Sequence, residues 1–134
     1  MGLRDLLRRR REPEPVALDP ADPSLEVCVE AFDAARADSA VLAEAADRGV
    51  DVAQPLLVRH HLLALSPDAV AQAREVLAQD GYTLLDGPPG VVLACRTQVL
   101  TAMSASQERS RMAGLAQRLG GDVRGWDALA PGRG

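Results

Sequence analysis

Lysine is absent from this 134-residue chain, so its fifteen Lys-plus-Arg cations are all arginine. Aromatic residues are nearly absent too: Phe32, Tyr82 and Trp126 are the only three. The core must therefore be built from Leu, Val and Ala. The two longest strand-like runs, LLVRHHLLA and VVLACRTQV, contain no aromatic at all. That removes the stacked-base surface with which sheet-faced RNA readers work. Cysteine is limited to Cys28 and Cys95, far apart and without a C-x-x-C motif. A disulfide framework and a zinc site both lack their spacing, and two buried thiols in a reduced cytoplasmic protein are expected. No run approaches the length of a membrane span. The charged N-terminus is not followed by an apolar stretch, so a signal peptide is not expected.

What is present suits one compact domain. Hydrophobic residues make up 47% and charged residues 25%, enough to fold most of the chain around one core. The charge is unevenly spread. Residues 1–12 carry five arginines and two acids, a net of +3, while the remainder carries −7. An acidic body disfavours a surface that tracks phosphates. GLRDLLRRRR has the spacing of a short amphipathic turn, and EPEPVALDPADP that follows reads as an extended linker. The expected organisation is a flexible Arg- and Pro-rich segment over 1–23, one domain over 24–130 and a short tail over 131–134. The run Arg8–Arg11 reads as a flexible tail, with a weak contact for RNA or anionic lipid as its alternative.

Apolar periodicity predicts the elements. Leu25, Cys28, Phe32, Ala35, Ser39, Leu42 and Ala46 recur at three and four, which predicts a helix from Ser24 to Arg48. Leu25–Val29 alone also suits a strand. Pro55–Leu65 reads as a strand. Ser66-Pro67-Asp68 opens a helix with a hydroxyl cap, a first-turn proline and a first-turn acid. Asp80-Gly81 closes it. Tyr82–Leu85 and Val91–Val99 form strands around a longer hairpin loop. Ser104 or Ser106 caps a helix to Leu119, and Asp122–Ala128 forms a last strand. After the first helix the order is β-α-β-β-α-β. The expected fold class is α+β: a ferredoxin-like split β-α-β with a four-stranded antiparallel sheet and an additional N-terminal helix.

The pair His60-His61 invites a metal or a catalytic reading. On a strand, neighbouring side chains point to opposite faces. His60 shares a face with Leu56, Val58 and Leu62, and His61 with Leu57, Arg59 and Leu63. The rings diverge, there is no third histidine, and the cysteines supply no ligand spacing. Neither a metal, a cofactor nor an active site is expected; no serine carries a nucleophile motif. Apolar residues on both faces imply that both faces are covered. Leaving leucines exposed would cost roughly 1.5–3 kcal/mol each in lost burial. The helices of the split β-α-β cover one face; the Ser24–Arg48 helix or a second copy of the chain must shield the other.

An ordered set of residues resembles a known family. It comprises Arg48-Gly49-Val50-Asp51, His60-His61-Leu62, Asp80-Gly81-Tyr82, Val92-Leu93-Ala94-Cys95, Arg111-Met112-Ala113 with Leu115-Ala116, and Gly125-Trp126. Over Asp38 to Leu129 the chain resembles the RraB family of ribonuclease E regulators. The resemblance implies a ferredoxin-like domain with an added helix and a non-catalytic role. It also implies a partner, a ribonuclease E-type endoribonuclease or its scaffold region, whose RNA cleavage the protein lowers. The family's Asp-Gly-Trp is Arg124-Gly125-Trp126 here, a reversed charge beside the Trp, and the acidic tail of some members is missing.

The candidate partner-binding residues are Arg59, His61, Arg124 and Trp126. Two of them have a plainer reading. Arg59 suits a solvated rim charge as well as an interface. Trp126 suits packing against a helix, and Gly125 a bulge or a close backbone approach. The competing functions are direct RNA binding and a small-molecule sensor. A ferredoxin-like fold by itself warrants neither.

Overall fold

The computed structural model describes residues 16–132. The amphipathic and arginine-run readings of the first eleven residues lie outside these. Five strands, β1 (Leu25–Ala31), β2 (Leu56–Leu63), β3 (Thr83–Asp86), β4 (Val91–Gln98) and β5 (Asp122–Pro131), form one open antiparallel sheet. Their order is β1-β5-β2-β4-β3. Among the described residues there are three helices, α1 (Asp38–Asp47), α2 (Pro67–Ala78) and α3 (Ala102–Arg118). The two connections through α2 and α3 each skip a strand: β4 lies between β2 and β3, and β2 lies between β4 and β5.

The sheet has five strands, not four, because the expected Ser24–Arg48 helix divides in two. Leu-Glu-Val-Cys-Val-Glu-Ala alternates apolar and acidic residues and contains two valines, both of which favour a pleated strand. Pairing with β5 then satisfies its backbone, which a marginal helix end would leave open. The chain turns at Asp33, whose carboxylate accepts from Ala35 N–H at 2.9 Å. Only then does α1 begin, at Asp38. A bulge at Cys28 shifts the register between Val27 and Val29, so Leu25 faces away from the helices while Cys28 and Val29 pack toward them.

The other boundaries follow local chemistry. Ser66 caps α2 by accepting from Ala69 N–H at 3.1 Å, with Pro67 in the first turn. The cap of α3 is Thr101, not Ser104 or Ser106. Thr101 Oγ1 accepts from Ser104 N–H at 3.0 Å, and Ser104 Oγ accepts from Thr101 N–H at 2.9 Å. This reciprocal box satisfies two otherwise unpaired donors. A serine three residues on serves as well as the usual acid.

All three helices lie on one face of the sheet. Val41, Leu42 and Ala45 of α1 pack with Leu56, Val58, Trp126 and Ala128. Ala73 and Leu77 of α2 and Met112 and Leu115 of α3 pack with Leu62, Leu84 and Ala94. The expectation that an N-terminal helix shields the opposite face is therefore overturned. Helix α1 joins the same layer as the others because its apolar stripe meets β1, β5 and α3 there. A third cluster, Leu25, Leu57, Leu93, Cys95 and Leu129, lies on the opposite face, free of helices among the described residues. Among the described residues no helix is long and apolar enough to cross a membrane.

Candidate functional site

The register places one line of side chains on the helix-free face. Cys95, Arg59 and Asp127 stand side by side across β4, β2 and β5. One step along the strands, Leu93 and His61 share the next row with Gly125. His60 and His61 thus point apart. His60 lies on the helix face, where its ring meets Tyr82 edge-on at 6.2 Å between centroids.

Asp127 is the hub. Arg59 Nε donates to its Oδ1 at 2.9 Å, and Arg59 Nη2 to its Oδ2. His61 Nε2 lies 3.1 Å from the same Oδ1. Asp127 is 3% exposed, so a lone carboxylate there would be costly. Burial alone pushes its carboxyl up, but the hydrogen bonds from Arg59 and His61 outweigh this and hold it below the ordinary range. The same bond to Asp127 pushes Arg59 further up, so its guanidinium stays charged. The pair fits two-pronged Arg–carboxylate geometry.

The line continues through an aromatic. Phe32, just beyond β1, packs edge-on against His61 at 4.9 Å. The Arg124 guanidinium lies 4.4 Å from the Phe32 ring centre, a cation–π contact. Arg124 occupies a bulge between the pairs His61–Gly125 and Leu62–Val123. Gly125 makes that bulge possible: its φ is +140°, and a Cβ there would fall 2.3 Å from the carbonyl oxygen of Ala31. Arg124 is exposed and enters no ion pair among the described residues.

Three of the four candidates therefore converge: Arg59, His61 and Arg124. Trp126 lies on the other face, 1% exposed, and its Nε1–H donates to Asp38 Oδ1 at 3.1 Å. Arg109 of α3 grips the same carboxylate through Nε at 3.0 and 3.1 Å. Trp126 thus ties β5 to α1 and α3 and presents nothing to a partner. Asp127 and Phe32 were not among the expected site residues. One signal in the sequence marked Asp127: it is the lone charge in the apolar run Trp126–Ala130. Phe32 carried no such signal, because a helical stripe accounted for it.

Among the described residues no group of three His, Cys, Asp or Glu side chains is placed to hold a metal ion. Burial pushes His60 down to about 4 and Cys95 up to about 12, which leaves an uncharged imidazole and an uncharged thiol at neutral pH. A recess of about 780 Å³ opens between the start of α1 and the start of α3. Of its charged residues, Asp38 and Arg109 pair with each other and Arg36 pairs with Glu44. So open a recess, with its charges already paired, is a poor small-molecule site.

A family model described as Regulator of ribonuclease activity B, RraB, matches residues 35–128, more than half of the chain. No curated protein and no solved structure matches the chain.

Proposed function

The chain belongs to the RraB family, whose members regulate a ribonuclease and are not catalysts, and from that premise we propose that it is a protein-binding inhibitor of a ribonuclease E-type endoribonuclease. Its docking surface is the helix-free sheet face. The observation that carries this reading is the connected line Arg124–Phe32–His61–Asp127–Arg59. A rigid, pre-paired set of arginine, aromatic and acid on a sheet face is the composition from which interface anchors are drawn. Arg124, in no ion pair among the described residues, supplies a cation for a partner carboxylate or carbonyl. Phe32 supplies apolar area beside it. Arg59 and Asp127 neutralise each other, so the centre of the face is desolvated without a bare charge.

Inhibition then follows from occlusion or altered assembly of the partner, with no bond made or broken. The acidic body, net −7 beyond residue 12, draws basic segments toward the molecule and sets the encounter rate more than the final affinity. The reading of residues 56–131 as a ferredoxin-like unit goes with this assignment and is supported by the strand order β5-β2-β4-β3.

The deciding experiment is titration calorimetry of the full chain against purified ribonuclease E fragments, catalytic and scaffold, in modest salt. Saturable binding at low micromolar concentration is expected for one fragment, with slower RNA cleavage in its presence. No heat with any fragment at that concentration ends this reading. Filter binding to single-stranded RNA is the companion measurement; tight retention by the protein alone transfers the face to RNA.

A further inference from the structure

The apolar half of the helix-free face is not bare. Leu25, Leu57, Leu93, Cys95 and Leu129 form its cluster, and each is at most 9% exposed. None of the three helices contributes to that cluster, but Leu18, from the segment that precedes β1, packs against it. Leu18 N–H also donates to Thr97 Oγ1 at 2.8 Å. Thr97 stands opposite Leu57, and Leu57 opposite Leu129. The segment therefore crosses the face over the row Thr97–Leu57–Leu129, beside the Arg59–Asp127 row.

Its attachment is slight. Val16 is 87% exposed, and Ala17 and Asp19 on either side of Leu18 are also exposed. At the other end the segment has a defined shape. Ala21 N–H donates to Asp19 Oδ1 at 2.9 Å, Asp22 N–H to Asp19 O at 3.0 Å, and Ser24 N–H to Asp22 Oδ1 at 2.9 Å. These turns deliver the chain into β1. One end is thus built in, and among the described residues the other is held by Leu18 and one hydrogen bond. Contacts this few place a segment at the low end of local stability.

We propose that residues 16–24 form an autoinhibitory strap, in which Leu18 occupies the apolar half of the docking face and is displaced when the partner binds. This rests on the reading of the helix-free face as the docking surface. The incoming group is an aliphatic side chain on an extended segment. It takes the place of Leu18 on Leu57 and Leu129, and its backbone N–H takes the place of the Leu18 N–H on Thr97 Oγ1. Binding then carries the cost of releasing the strap, which lowers apparent affinity by the fraction of molecules already open.

Cys95 provides a readout that needs no partner. It belongs to the covered cluster and is 1% exposed, whereas Cys28 is half-buried and its thiol points to Ala128 O on the helix side. The two thiols are alkylated with iodoacetamide in the full chain and resolved by mass spectrometry. In Leu18→Asp, Cys95 is expected to label about tenfold faster than in the unaltered chain, with Cys28 unchanged as internal reference. Thr97→Val, which keeps the fold by its near-equal shape, is expected to give a smaller rise in the same direction. Far-UV dichroism and Trp126 fluorescence certify that both variants are folded. Unchanged Cys95 labelling in both overturns the strap.

The second arm compares ribonuclease fragment affinity. Tighter binding by Leu18→Asp than by the unaltered chain, together with faster Cys95 labelling, supports the inhibitory role. Faster labelling with equal affinity overturns that role and leaves a mere cover. Fragment binding absent from every form sinks the docking reading itself, and the inhibitory role with it, even if Cys95 labelling rises.

Discussion

Arg59 and Asp127 stand directly opposite one another on β2 and β5, joined by two hydrogen bonds on a sheet face that no described helix covers. Asp127→Asn is expected to destabilise the protein by roughly 2–3 kcal/mol, somewhat less than a fully buried pair because the Arg59 side chain is 22% exposed. Urea denaturation at pH 7 measures it. The double variant Arg59→Met, Asp127→Leu is expected to regain most of that stability, since it leaves no uncompensated charge.

Arg124 tests the partner face without touching the core. Arg124→Glu keeps the bulge and is exposed, so its melting temperature should stay within a degree or two of the unaltered chain. Its affinity for the ribonuclease fragment should fall about tenfold or more, since the cation over Phe32 that meets a partner carboxylate or carbonyl becomes a repelling anion. Equal affinity by calorimetry would remove Arg124 from the interface.

Acid destabilisation should come in two windows. Burial depresses His60 to about 4 from an ordinary value near 6.5. The unfolded chain therefore takes up a proton at this residue before the folded one does. Stability from this source is complete above pH 6.5 and falls by roughly 3 kcal/mol as pH drops to about 4. Asp127, held low in the folded state, contributes stability present above its unfolded value of 3.8 and lost below it. In His60→Leu the stability slope between pH 6.5 and 4 should flatten, while the loss below pH 3.8 remains. Urea midpoints across that range read both.

Asp38 accepts from both Arg109 and Trp126, and it links three elements. Asp38→Ala should cost about 3 kcal/mol, because it leaves a partly buried guanidinium and a buried indole N–H unpaired. Trp126 emission, the lone tryptophan signal, should shift to the red as the site hydrates.

Two backbone positions make opposite predictions. Gly125→Ala brings a Cβ to 2.3 Å from Ala31 O and should cost roughly 2–4 kcal/mol, read from thermal unfolding. Ala64, with φ +59°, is the one non-glycine residue with positive φ among those described. Ala64→Gly should raise stability by up to about 1 kcal/mol, the αL relief less the added freedom of glycine.

Much of the fold was legible in local chemistry. Ser66-Pro67-Asp68 announced α2, and Gly81 its end, because caps and positive φ belong to particular side chains. The divergence of His60 and His61 followed from the strand period alone. The three-and-four spacing that predicts a Ser24–Arg48 helix is not used by β1: Leu25 and Cys28 pack on opposite faces of the sheet, and pairing with β5 decides the strand. The cap at Thr101 was missed because a serine at the third helical position does the work of the expected acid.

The sequence by itself determined which residues are apolar, where the chain must turn, that β2 is covered on both sides, and which family the chain resembles. Those are properties of composition, period and ordered motif. Only the tertiary structure decided what covers each face. Strand pairing is set by contacts between residues 66–68 positions apart, such as Arg59 and His61 with Asp127, and no local pattern encodes them. That pairing sent Trp126 inward to Asp38, gathered Arg59, His61 and Arg124 on the opposite side, and left Leu18 to lie across the remaining leucines.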